Sequence, residues 1–217
     1  MFRNKTLNLN LAKVILDRAL EFGFCACNHL ATKRMILKCV RWEKPRNGWL
    51  TLNTDGLATG SSGLAGGGGL IKDGNGSWII EFARKIGTAT SFLAELWALR
   101  DGLRLCLQIQ AQAVCIELDA KAMVDAFNLQ SCTNTIRSSI MEDCRHLVTQ
   151  IPQVRVRHVY RETNRCADFL AQLGTTLEND FSIFPSPPVD LLTILEADVC
   201  GLSINRFCTD ILVAVYF

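Results

Sequence analysis

The chain has 217 residues, 49% of them hydrophobic, and a formal net charge of +2. That length and apolar content suit one medium domain with extensions and exclude a disordered tail, while the near balance of charge does not by itself point to a polyanionic partner. Ten cysteines raise disulfides or zinc, but Cys25, Cys27 and His29 have no second ligand pair at zinc-finger spacing.

The first predicted element is a helix over 7–22, where Leu11, Val14, Ile15 and Leu20 fall at helical spacing. The opening "MFRNKTLNLNLAKVIL" lacks a long apolar stretch and a small-residue cleavage site. The protein is therefore expected inside the cell, nuclear or cytoplasmic, with its cysteines reduced. Residues 28–48 are basic, with Lys33, Arg34, Lys38, Arg41, Lys44 and Arg46 opposed only by Glu43, and they end in "EKPRNG"; this reads as a linker.

Three strands are predicted next, over 49–55, about 66–72 and about 77–85. "KDGNGS" joins the last two as a hairpin, because Asp-Gly and Asn-Gly tolerate the positive φ of tight turns. Asp55 closes the first strand, and a glycine-rich stretch follows it. A helix over about 91–108 carries one apolar stripe, Phe92, Leu96, Leu99, Leu103 and Leu107. Glu95 lies inside that stripe, so it faces the sheet rather than water.

"AVCIEL", 113–118, reads as a buried strand with Asp119 at its end. A short helix over 120–128 and a longer one over about 135–150 follow. "VRVRHVY", 154–160, alternates apolar and basic residues as a half-exposed strand. "TNRCADFLAQLG", 163–174, is a helix with Leu170 and Leu173 inward, Gly174 near its end and Asp168 in its early turns. Cys106, Cys115 and Cys166 fall in apolar runs, where thiols are core. Beyond 177, three prolines in "FPSPPVDLLTILEAD" mark an extended appendage that leads into a short helix. The terminal "ILVAVYF" is too short to span a bilayer, and no membrane partner is expected.

The order β-β-β-α-β-α-α-β-α implies an α/β domain, a mixed sheet with helices packed on it. A right-handed crossover sets strands 49–55 and 113–118 side by side and parallel, which makes Asp55 and Asp119 neighbours at one sheet edge. Clustered carboxylates raise one another's pKa unless something compensates, and "NTDG" and "ELDA" hold no Lys or Arg. Alone, Asp55 or Asp119 reads as a turn former, Glu95 as a buried hydrogen-bonded group and Asp168 as a helix-start charge. Together they suit a hard divalent cation, Mg²⁺ or Mn²⁺. Two such ions could activate a water and stabilise the leaving oxygen of a phosphodiester.

"NTDG", "AELWAL", "ELDA" and "HVYRETNRCADFLA", in this order, resemble the type 1 ribonuclease H domain, in its plant branch related to non-LTR retrotransposon ribonuclease H. The resemblance covers about 47–176, leaving 1–46 as a helical and basic linker segment and 177–217 as a C-terminal appendage. It implies a five-stranded mixed sheet flanked by helices, and an endonuclease, acting as a monomer, that cleaves the RNA strand of RNA–DNA hybrids with two Mg²⁺ ions. The family's acidic ligands map onto Asp55, Glu95, Asp119 and Asp168. Its product-release histidine maps onto His158, on a loop or on the strand. Gly56, Ser61, Arg161 and Asn164 fall where the family meets nucleic acid, and the glycines after Asp55 read as backbone cleared for its approach. Leu57 and Ser61 depart from the small polar residue and the asparagine of many members, and 129–150 lacks the basic loop of bacterial ones. A non-catalytic nucleic-acid-binding relic is the alternative those departures favour.

Overall fold

The structure, a computed structural model, describes residues 34–60, 63–128 and 139–210. The expected helix over 7–22, Ser61 and the start of the helix expected at 135 lie outside them. The chain divides into two compact units, and the described part of the smaller one is Arg34–Ile36 and Cys208–Asp210. The larger unit, Leu37–Phe207, carries the fold described below.

Its elements are strands β1 (Arg34–Val40), β2 (Leu50–Thr59), β3 (Leu64–Lys72) and β4 (Trp78–Thr88), helix α1 (Ser91–Gln108), β5 (Ala113–Leu118), α2 (Lys121–Asn128), α3 (Ser139–Thr149), β6 (Gln153–His158), α4 (Arg165–Thr176), β7 (Phe181–Phe184), α5 (Val189–Val199) and β8 (Ile204–Asp210). Six strands form one mixed sheet in the order β6-β5-β2-β3-β4-β7, and β1 pairs with β8 separately. β2 and β5 run parallel and adjacent, with Asn53 opposite Glu117. Two residues further along that register, Asp55 stands beside Asp119.

Three local signals behave as the sequence implies. The β3–β4 turn closes on Asp73, whose carboxylate accepts from the Asn75 and Ser77 amides at 2.8 Å each, while Gly76 takes φ 92°. Thr90 caps α1 by accepting the Leu93 amide at 3.3 Å. The stripe of α1 is buried at Leu96, Leu99 and Leu103, with Glu95 among the buried residues as well.

Three expectations are corrected. Residues 34–40, read as linker, are strand β1, and Val40 and Trp42 beyond it are core. Met35 and Leu37 are exposed, so the strand rests on its pairing with β8 more than on burial. The sheet has six strands rather than five, because the presumed appendage adds β7 along β4. The appendage also adds α5, whose Leu191 and Leu195 pack with Leu70, Cys166 and Leu170. A buried Lys72–Asp198 ion pair of 3.0 Å, with Lys72 4.2 Å over the Trp42 ring, ties α5 and the residues after β1 to β3.

The glycines after Asp55 are the third correction. Gly66–Gly69 of β3 are buried between two helices. A Cβ at Gly68 would stand 2.4 Å from the Leu170 backbone, and one at Gly66 2.5 Å from the Ala171 carbonyl, both in α4. One at Gly67 would meet Ala98 of α1 at 3.2 Å. Alternate residues of a strand face opposite sides. The run therefore lets α1 and α4 approach opposite faces of one strand, and Gly174, near the end of α4 as expected, packs against Gly67.

Glu81 of β4 is fully buried, and its carboxylate oxygens have no hydrogen-bond partner among the described residues. Burial pushes its carboxyl from 4.5 up to about 7. A raised acid stabilises the fold fully below its unfolded pKa and loses that contribution as pH rises through the folded value. Thermal unfolding from pH 5 to pH 8 should show the wild type losing stability on the order of 2 kcal/mol relative to Glu81→Gln. Parallel pH profiles of the two proteins would contradict this account.

Candidate metal centre

The carboxylates of Asp55, Glu95 and Asp119 come together at the end of the β2–β5 pair. One oxygen from each lies within 4.8 Å of the others. Asp55 is 6% exposed and Glu95 5%. Asp55 arrives on β2, Asp119 from the turn after β5, and Glu95 from the second turn of α1. Gly56 allows that meeting, since a Cβ there would lie 2.0 Å from the Glu95 amide nitrogen. The absent side chain at Gly56 thus serves helix packing.

Burial is the main cause pushing all three acids up. Asp55 rises to about 7, with the Asp119 and Asp168 charges adding to burial. Glu95 lies well above its usual range through burial and the charges of Asp55 and Asp119. Asp119 is raised less, because the Arg161 guanidinium works against burial.

Asp168 stands beside this triad rather than within it. It is 22% exposed and ion-paired with Arg161, and Gln172 donates to its other oxygen at 3.0 Å. Arg161, read in the sequence as a nucleic-acid contact, is thus a counter-charge to the acids, supplied by the fourth motif itself. His158 is the last residue of β6 and exposed, which decides for the strand position. Its Nε2 lies 3.0 Å from the Asp119 carbonyl oxygen, at the rim of the centre.

Asn164 departs from expectation. It is 1% exposed. Its side-chain amide donates to the Thr54 carbonyl at 3.0 Å and its oxygen accepts from Asn53 at 3.2 Å. Both ends of its side chain are thus engaged inside the protein. Asn53 also donates to the buried Glu117 at 2.7 Å, and Arg157 donates to Glu117 through Nε at 2.9 Å. This network, which braces β2, β5, β6 and the start of α4 beneath the carboxylates, went unread in the sequence. Its one signal was Glu117 on a strand otherwise wholly apolar.

A mixed sheet with a parallel central pair, helices on both faces and an acidic cluster at the ends of that pair defines a ribonuclease H-like domain. The chain belongs to the reverse transcriptase-like family, whose model matches residues 53–174. It is 31% identical over 170 residues to the Arabidopsis thaliana protein named "Putative ribonuclease H protein At1g65750", a match spanning 78% of this chain and 27% of that protein. Among solved structures it is similar to RNase H1 of the halophilic archaeon Halobacterium salinarum NRC-1, with 26% identity, a TM-score of 0.53, and 58% of this chain against 96% of that one. It is similar too to LC11-RNase H1 in complex with an RNA/DNA hybrid, with 26% identity, a TM-score of 0.52 and the same two shares, 58% and 96%. Among the described residues, no helix is long and apolar enough to cross a membrane.

Proposed function

We propose that this chain is a divalent-metal-dependent endonuclease that hydrolyses the RNA strand of RNA–DNA hybrids. The observation that carries the reading is the meeting of three carboxylates, two of them buried, within 4.8 Å at the end of a parallel strand pair. The relative solved with an RNA/DNA hybrid supports the choice of substrate.

The residues present fit a hard cation. The donor set is all carboxylate oxygen, and Glu95 Oε2 is buried without a hydrogen-bond partner among the described residues. Asp55, Glu95 and Asp119 would hold Mg²⁺ or Mn²⁺, with Asp168 at the side to complete a two-ion site. When bound, the metal supplies an activated water and offsets charge on the phosphodiester and its leaving oxygen.

The protein's own contribution is placement. β2 and β5 fix Asp55 and Asp119 in register, and the Gly56 contact fixes Glu95 against them. Arg161 holds the Asp168 carboxylate at the edge of the site. The His158 ring, anchored on the Asp119 carbonyl, stands exposed at the rim, where product leaves.

A labelled-strand assay tests the function. RNA in a hybrid should be cut in Mg²⁺ or Mn²⁺ and left intact in EDTA, with single-stranded RNA and duplex DNA spared. Tight hybrid binding in EDTA with an intact RNA strand in every metal would instead establish the non-catalytic binder. Leu57 and the engagement of Arg161 with Asp168 favour that second reading.

A further inference from the structure

The two basic stretches of the sequence, about 110 residues apart, meet in one place. A cleft of about 740 Å³ lies between the residues after β1 and the outer edge of β6, and its lining includes Lys38, Arg41, Arg155 and His158. A second hollow of about 320 Å³ shares Arg155 and Arg157 with it and is lined further by Lys44, Arg46 and Trp49.

Arg157 is already engaged. It pairs with the buried Glu117 and lies 3.7 Å from the Glu43 carboxylate, and it donates to the Glu43 carbonyl at 2.9 Å. It thus clips the Lys38–Arg46 segment onto β6 and offsets part of the acidic charge of the lining. Lys38, Arg41, Lys44, Arg46 and Arg155 are exposed and make no ion pair among the described residues. These cations outnumber the acids of the lining, and they repel each other and cost stability unless an anion lies between them. The groove also leads to the metal centre, because His158 lines it and touches the Asp119 carbonyl.

We infer that this groove binds the phosphate backbone of a single-stranded nucleic acid running on from a hybrid held at the metal centre. A narrow basic track with an aromatic side chain, here Trp49, is the chemistry of single-strand binding. The inference rests on the hybrid reading above for what occupies the centre, but not on cleavage.

Binding of the full chain is measured in EDTA, where no cleavage interferes, by fluorescence anisotropy. The probes are a blunt hybrid, the same hybrid with a single-stranded tail of ten nucleotides at either end, and the same hybrid lengthened by ten base pairs. The wild type should bind one tailed hybrid about tenfold more tightly than the blunt one, with a steeper salt dependence, since each phosphate neutralised on a single strand adds about 0.7 to the slope. Arg41→Glu with Arg155→Glu should abolish the tail-dependent gain, and Arg41→Lys with Arg155→Lys should keep it. Both positions are exposed, and unfolding temperatures check that each variant is folded. Equal affinity for tailed and blunt hybrids, an equal gain from added duplex, or a gain that survives charge reversal overturns the inference. Failure of the wild type to cut in Mg²⁺ defeats the proposed activity and leaves this binding result standing.

Discussion

Replacing Asp119 or Asp55 with asparagine is expected to reduce hybrid cleavage by at least about a thousandfold, since either change removes a donor from the set that fixes the metal and the charge it supplies. Neither variant should be less stable than the wild type. Burial, reinforced by the Asp119 and Asp168 charges, raises the Asp55 carboxyl to about 7. Its ionised form is therefore unfavourable in the metal-free fold: the stability it contributes is complete at acid pH and is lost as pH rises through about 7. An amide at 55 removes that loss, so Asp55→Asn in EDTA at pH 8 should unfold at the same or a higher temperature, by roughly 1–2 kcal/mol. Added Mg²⁺ should raise the unfolding temperature of the wild type and not of the variant. Activity loss accompanied by unfolding would show these acids to be structural.

Gly56→Ala is expected to produce the largest combined effect on fold and activity. The new Cβ would lie 2.0 Å from the Glu95 amide nitrogen and 2.2 Å from the Ala94 carbonyl carbon, and backbone atoms cannot rotate away. α1 must move, at a cost of about 1–3 kcal/mol or more. Glu95 moves with it and leaves Asp55 and Asp119. Chemical denaturation should show the destabilisation, and cleavage should fall far more than the unfolded fraction explains. Gly74→Ala is the control: its Cβ would meet nothing closer than the Trp49 carbonyl at 3.6 Å. It should change stability by less than about 1 kcal/mol. Equal effects of the two substitutions would remove Gly56 from the account of the site.

The parts of this architecture with local causes were legible in the sequence. α1 and β5 have the bounds that their apolar patterns set, the β3–β4 turn follows from its Asp and Gly residues, and the adjacency of Asp55 and Asp119 follows from the handedness of one crossover. What the sequence concealed depends on contacts between distant segments. The four glycines of β3 fall in a predicted strand, but their purpose reads as backbone cleared for a ligand until two helices are placed on either side of them. Asn164 resembles a surface contact because its partners, Asn53 and the Thr54 carbonyl, lie 110 or more residues away in the chain. β7 is a four-residue edge strand beside prolines, too short for a period-two pattern to show. Arg161 lies in the same motif as Asp168, but only the turn before α4 shows that it pairs with that carboxylate. The joining of the two basic stretches was likewise invisible, because one reads as a linker and the other as a half-exposed strand about 110 residues away.

The measurement that tests the central claim most directly is Mn²⁺ binding to the full chain without nucleic acid, followed by electron paramagnetic resonance of the free ion. The wild type should take up Mn²⁺, Mg²⁺ should compete for it, and Asp55→Asn and Asp119→Asn should each weaken uptake by at least about tenfold. Uptake unchanged in both variants, or absent in the wild type at millimolar Mn²⁺, would contradict a metal centre at Asp55, Glu95 and Asp119.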